Sequence, residues 1–238
     1  MNILPLFIYI ATFALNIASA STNTAEPVKV IITGHTLAGK TSVINELQKR
    51  GYYIVPEAAT AILLEEYQKL DIAHPENAPH GLPWQIDNLQ MKIFSAQKSA
   101  YKQALQECRI HPPKNNLIIF DRSVLDSRVY AKIFYPEGSF TEHETAFFNK
   151  CITKALLPGS FAKTVIFSEI VPLEYYNGRL SNAVRHENYE QACFIGEHLR
   201  HGYQELGFTL HSVGFAETIS QKTDTVEALL LTIAKAHE

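Results

Sequence analysis

The stretch V-K-V-I-I-T-G-H-T-L-A-G-K-T-S, Val28 to Ser42, constrains this chain more than any other part of it. A short, continuous apolar run rich in β-branched residues reads as a buried strand. It ends at Gly34, and four residues later come Gly39, Lys40 and Thr41. That spacing, G-x-x-x-x-G-K-[ST], is the pattern of a phosphate-binding loop between a strand and a helix. Each part has a physical reason. Gly34 and Gly39 allow backbone conformations and close approaches that a Cβ would obstruct. The loop amides from Gly34 through His35, Thr36, Leu37, Ala38 and Gly39 to Ser42 converge on phosphate oxygens as a nest. The helix that starts near Gly39 aims its positive end at the same oxygens. Lys40 supplies a mobile cation for the β- and γ-phosphates, and Thr41 offers a hydroxyl to Mg²⁺.

From Val28 onward strand-like and helix-like segments alternate, which predicts a parallel sheet with covering helices. Val28–Thr33 is the first strand and Ser42–Arg50 the helix after the loop, closed by Gly51 where glycine caps helices. Tyr52–Val55 is a second strand, followed by Pro56 and a helix to about Leu70. Asp71–Pro83 carries Pro75, Pro79, Gly81 and Pro83 and reads as a long loop. Trp84–Arg109 reads as one long helix. Asn116–Phe120 is a third strand, with helices over Arg122–Phe134 and Thr141–Leu156. Lys163–Phe167 is a fourth strand, with Pro172 closing the loop after it. Tyr189–Leu206 is a helix ended by Gly207, Phe208–Val213 the last strand and Thr223–Ala236 the last helix.

The chain has 238 residues, 46% hydrophobic and 19% charged, enough for one sizeable α/β domain. A net charge of −3 gives no electrostatic footprint for nucleic acid. Cys108, Cys151 and Cys193 are widely spaced without C-x-x-C, so neither a zinc site nor a full disulfide framework follows. Ile3–Ala18 is nearly all apolar and is followed by Ala18-Ser19-Ala20, the pattern of a secretory leader with its cleavage signal, although a basic n-region is missing. It is also short for a membrane span. The sequence thus divides into a leader at 1–20, a polar linker at 21–27 and the folded domain at 28–238, with no stable membrane insertion once the leader is cleaved. A real leader exports the protein; otherwise it is cytoplasmic. Export sits uneasily with a need for nucleoside triphosphate, which is a cytosolic commodity.

In open parallel sheets ligands bind outside the carboxyl ends of the strands, so the residues that follow each strand are the candidates. Glu57 follows the second strand and Asp121-Arg122-Ser123 the third; Arg179 and Arg185 precede the helix that leads to the last strand. Asp121 ends an apolar strand as a metal-holding acid does, reaching Mg²⁺ directly or through water; an Asp there also caps a helix. Glu57 suits the proton of a substrate hydroxyl or a ribose-like group, and equally a first helical turn. Arg122 and Arg185 would stabilise phosphoryl charge, and Asp126 would pair with one of them. Gln90, Phe94 and Gln97 could face a substrate ring, or form a packing stripe.

G-H-T-L-A-G-K-T, V-P-E-A-A, F-D-R-S-V-L-D-S-R-V-Y-A and A-V-R-H-E-N-Y-E together resemble the AAA-type ATPase domain family that includes the ribosylnicotinamide kinase domain of NAD-biosynthesis proteins. The likeness covers about Val28 to Ala236. The D-R-S segment also resembles the D/E-R-S of thymidylate and deoxynucleoside kinases, where an acid after the second strand serves as base or substrate contact, as Glu57 would. The expected fold is therefore a P-loop NTPase α/β fold: about five parallel strands in the order 2-3-1-4-5, with helices on both faces. The expected function is binding of ATP (or GTP) with Mg²⁺ and phosphoryl transfer to a small hydroxyl-bearing acceptor. Lys40 and residues Gly34–Ser42 would bind nucleotide, Thr41 and Asp121 the metal, and Arg122, Arg185 and Glu57 would serve the transfer. The competing class is a switch or hydrolase acting on a protein or lipid partner. A kinase needs a closed pocket between Glu57, Gln90 and Asp121; a switch needs an open site and an exposed apolar patch. No oligomeric state follows.

Overall fold

Five strands form a single sheet in the computed structural model, which describes residues 26–72, 88–134, 146, 150, 163–176 and 187–237. They are β1 Val28–Gly34, β2 Tyr53–Val55, β3 Leu117–Asp121, β4 Thr164–Ser168 and β5 Thr209–Val213. All pairings are parallel and the order is β2-β3-β1-β4-β5, the order expected from the sequence. In the ladder Ile32 of β1 stands beside Asp121 of β3, and Gly34 beside Ser168 of β4. The carboxyl ends of β1, β3 and β4 therefore meet at one edge.

β1 is central, and its alternating side chains enter two cores. Val30 and Ile32 pack with Val43, Ile44 and Leu47 of α1 (Lys40–Lys49) and with Val226, Leu230 and Ile233 of α7 (Ile219–Lys235). Ile31 faces the other way, toward Ala104 and Cys108 of α3 (Leu89–Ile110), Leu125 and Val129 of α4 (Val124–Phe134), and Ile195, Leu199 and Tyr203 of α6 (Tyr189–Glu205). Burying each such aliphatic side chain is worth about 1.5–3 kcal/mol, which is why this strand is apolar on both faces. Helix α2 (Ala59–Lys69) lies on α3 through Leu63, Tyr67, Leu89 and Ile93.

Gly51 (φ 88°) and Gly207 (φ 78°) follow α1 and α6 in the left-handed conformation that favours glycine. Four helix starts differ from expectation, the first being α1, which begins at Lys40 rather than Ser42. α3 begins at Leu89 rather than Trp84, because Asn88 adopts φ 56° and breaks the helix; residues 84–87 lie outside the described residues. α4 begins at Val124 rather than Arg122, because Arg122 has φ 67° and the Ser123 hydroxyl accepts from the Leu125 amide at 3.1 Å. α7 begins at Ile219 rather than Thr223, since Thr218 and Gln221 form a capping box. A one-turn helix, α5 (Leu173–Tyr176), stands where only a loop was expected. The leader, most of the linker, the bulk of the 71–83 loop and nearly all of the 141–156 helix lie outside the described residues. No helix among the described residues is long and apolar enough to cross a membrane.

Candidate active site

The loop between β1 and α1 is held by its own backbone. Gly34 has φ 131°, and a Cβ there would stand 2.2 Å from the carbonyl oxygen of Ser168, so no other residue lets β1 run this close to β4. The His35 amide donates to that same carbonyl at 3.0 Å, and the Ala38 amide to the His35 carbonyl at 3.3 Å. Leu37 (φ 57°) and Gly39 (φ 81°) supply the left-handed steps that fold the loop back on itself. The Lys40 ammonium, buried, donates to the carbonyls of Gly34 at 3.1 Å and His35 at 2.5 Å, which keeps its charge across the mouth of the loop. Thr36 is buried with its hydroxyl 3.4 Å from that of Tyr130 on α4, while Thr41 and Ser42 open the first turn of α1 to solvent.

His35 is the loop residue that turns away from this mouth. Its Nδ1 lies 3.4 Å from the Ser168 carbonyl, and its ring meets Phe167 edge-on at 5.4 Å. On the α6 side the imidazole fills the space that a Cβ of Gly196 would take. Burial lowers its pKa below the ordinary value, against the pull of the Ser168 carbonyl, Glu169 and Glu197, so the ring is neutral near pH 7. Glu169 in turn holds Arg200, both carboxylate oxygens lying 2.7 Å from Nη2.

Next to the loop, the segment after β3 forms a buried charged network. Asp126 accepts from the Thr33 hydroxyl (2.6 Å), Arg122 Nη1 (3.1 Å), the Ser123 amide (3.0 Å) and the Tyr203 hydroxyl (2.6 Å). Four donors on one carboxylate join β1, α4 and α6. Glu57 Oε1 lies 2.9 Å from Arg122 Nε as an ion pair that lacks hydrogen-bond alignment, since Nε has no aligned acceptor. Burial works against the Arg122 charge, but Glu57, Tyr130, Asp126 and Asp121 outweigh it and push the pKa well above the ordinary arginine value. The left-handed backbone of Arg122 (φ 67°), uncommon for a side chain of this size, turns the guanidinium into the cluster while its amide still donates to the Ile32 carbonyl at 2.9 Å.

Further polar atoms are buried without a partner. Gln97 Oε1 accepts from the Ala58 amide at 3.1 Å, yet its Nε2 has no partner. Gln90, Phe94 and Gln97 of α3 are all buried, at 4%, 1% and 4% exposed, so this face of the helix looks inward. Tyr67, fully buried on α2, leaves its hydroxyl unpartnered, and Glu187 leaves Oε2 unpartnered. Burial, and after it the charge of Glu187, raises the phenol's pKa. Tyr176 positions Glu187 by donating to its backbone carbonyl at 2.7 Å.

The sequence candidates Gly34–Ser42, Lys40, Asp121, Arg122 and Glu57 thus gather at one edge of the sheet, and Asp126 pairs with Arg122. Arg179 and Arg185 lie outside the described residues. Asp121 and Thr41 offer hard oxygens beside the loop, the donor chemistry Mg²⁺ takes when phosphate and water complete its shell. No group of three His, Cys, Asp or Glu able to hold a metal occurs among the described residues. Sequence reasoning missed Tyr67, Tyr203, Glu187 and Lys222, whose ammonium donates to the Ala38 carbonyl at 2.7 Å. Of these, only Glu187 lies in a motif that stood out, A-V-R-H-E-N-Y-E.

Residues 29–222 match the AAA domain family. No match to a protein of curated function was found. Among solved structures, deoxyadenosine kinase from M. mycoides with bound dATP aligns at 20% identity and a TM-score of 0.52, covering 85% of this chain and 98% of that one. NadR in complex with NR aligns at 18% identity and a TM-score of 0.54, covering 85% of this chain and 50% of NadR. NadR with NAD and AMP-PNP aligns at 16% identity and a TM-score of 0.56, covering 86% of this chain and 49% of NadR. These likenesses establish the fold, that of P-loop kinases, and this chain spans about half of NadR.

Proposed function

The chain belongs to the AAA domain family, and on that premise we propose that it binds ATP or GTP with Mg²⁺ and transfers the γ-phosphoryl group to a small hydroxyl-bearing metabolite of nucleoside type. The observation that carries the acceptor reading is the buried, unpartnered Nε2 of Gln97, whose Oε1 holds the Ala58 amide next to Glu57, together with the unpartnered Tyr67 hydroxyl and Glu187 Oε2. Each such atom costs about 1–3 kcal/mol when left unsatisfied, so a fold tolerates several together where a polar ligand completes them. Amide, phenol and carboxylate suit the ring edge and hydroxyls of a nucleoside, and the buried ring of Phe94 suits its face. The resemblance to a deoxyadenosine kinase and to NadR supports the same class.

Phosphoryl transfer asks for positioning and charge stabilisation more than covalent help. Lys40 and the loop amides hold the phosphates. Thr41 and Asp121 would hold Mg²⁺, which supplies neutralisation of phosphate charge. Arg122, kept cationic by its four neighbours, and Arg185 balance charge as the phosphoryl group moves. Glu57, ion-paired with Arg122, accepts the hydrogen bond of the attacking hydroxyl. In the proposed division, 1–20 is a leader, 21–27 a linker and 28–238 the domain; the protein is exported if that leader is cleaved and cytoplasmic otherwise.

The test is equilibrium binding of labelled adenosine, deoxyadenosine and ribosylnicotinamide to the full chain and to Gln97→Leu and Tyr67→Phe. At least one ligand should bind, and weaken about tenfold in each variant, the scale of one lost buried hydrogen bond. Absence of nucleoside binding, with triphosphate hydrolysis stimulated only by lipid vesicles or a protein, would favour a switch.

A further inference from the structure

We propose that Lys222 is a positioning residue for phosphate recognition, acting through the Ala38–Gly39 peptide of the loop; the inference rests on the phosphate-loop reading. Lys222 closes the first turn of α7, whose start is fixed by the Thr218–Gln221 capping box. Its side chain is 4% exposed, and Nζ donates to the Ala38 carbonyl at 2.7 Å across 184 residues of sequence. A lysine is almost never this buried without a specific partner. Here its partner is a loop carbonyl, and the loop already carries the Lys40 ammonium on two others.

The Ala38 carbonyl and the Gly39 amide belong to one planar peptide, and no described peptide is cis. The Gly39 N–H therefore points away from Lys222. A cation on the carbonyl polarises the peptide and makes its N–H a stronger donor, as hydrogen bonds in a chain strengthen one another at low dielectric. Lys222 thus fixes the orientation of this peptide and increases the positive potential that its amide offers to an anion. α7 also packs against α1 through Val226 and Leu230, so the same helix braces the loop on both sides of Gly39.

The test uses the full chain with Lys222→Met, which keeps the length and removes the charge, and Lys222→Arg, which keeps the charge. Two quantities are read: the amide shift of Gly39 in nucleotide-free protein by ¹H–¹⁵N correlation, and the Kd for ATP with Mg²⁺. Lys222→Met should move the Gly39 proton upfield and weaken ATP about tenfold, and Lys222→Arg should recover most of both. Should Lys222→Met fail to fold, Lys222→Gln takes its place. A folded neutral variant with wild-type Kd and Gly39 shift overturns the proposal, as does an arginine variant as weak as the neutral one. Lys40→Ala and wild type run alongside: a wild type that binds no triphosphate refutes the phosphate-loop reading itself.

Discussion

A Cβ at Gly196 would stand 2.0 Å from Cδ2 of His35, so α6 can lie against the phosphate loop only because position 196 has no side chain. His35 is 3% exposed and backed by Phe167, so it has little room to yield. Gly196→Ala should therefore lower stability by about 1–3 kcal/mol, the range for overpacking, despite alanine's better helix propensity. Urea unfolding checks this. Adding His35→Ala should recover most of the loss, and a double variant no better than Gly196→Ala alone would contradict the contact.

The same histidine makes stability depend on pH. Its folded pKa lies below the ordinary value because of burial, so in mildly acidic solution the unfolded chain binds a proton that the folded one does not. Stability then rises with pH across that window. The contribution is fully present above the unfolded pKa of about 6.5 and is lost as pH falls from there toward the folded pKa. Unfolding midpoints measured from about pH 7.5 down to about pH 5 should fall less steeply for His35→Gln than for wild type. Equal slopes would contradict this role.

Tyr203 and Asp126 share a 2.6 Å hydrogen bond in the interior. Tyr203→Phe removes one of four donors to Asp126 and leaves Ser123 Oγ without this phenol, and should cost about 1–3 kcal/mol. Asp126→Ala should cost more, about 3–5 kcal/mol, because it withdraws a carboxylate from the buried Arg122. Thermal unfolding that ranks the two in reverse order would show that the network is not centred on Asp126.

Lys40→Ala should weaken triphosphate binding by about 2–4 kcal/mol with the fold intact, the scale of charge-assisted contacts. Asp121→Asn keeps shape and loses charge, so turnover should fall far more than nucleotide affinity. Calorimetry and steady-state rates on the two variants check both, and turnover of Asp121→Asn within about twofold of wild type would reduce Asp121 to a structural group.

The strand order and the phosphate loop were legible because their signals are local: an apolar run, two glycines and a lysine at fixed spacing. Glu57, Asp121 and Arg122 were legible because the sheet's topology puts whatever follows β2 and β3 at one edge. Arg122's left-handed backbone was not, since tertiary contacts with Glu57 and Asp126 impose it and moved the start of α4 by two residues. Asn88 likewise shortened α3, although asparagine's tolerance of that conformation was a readable hint. The Thr218–Gln221 pair is a readable capping-box pattern too, and it sets the start of α7 at Ile219. Tyr67, Tyr203 and Lys222 had no sequence signal. Their roles come from pairings such as Tyr203 with Asp126, 77 residues apart, and Lys222 with Ala38, 184 apart.

The central claim is transfer of a phosphoryl group to a small acceptor, and its most direct measurement follows the label. Full-length protein is incubated with γ-labelled ATP or GTP, Mg²⁺ and a panel of nucleosides and ribosylnicotinamide, and the products are separated. The account predicts label on one acceptor, lost in Lys40→Ala and strongly reduced in Asp121→Asn. Label found only as inorganic phosphate, whatever acceptor is present, would contradict it.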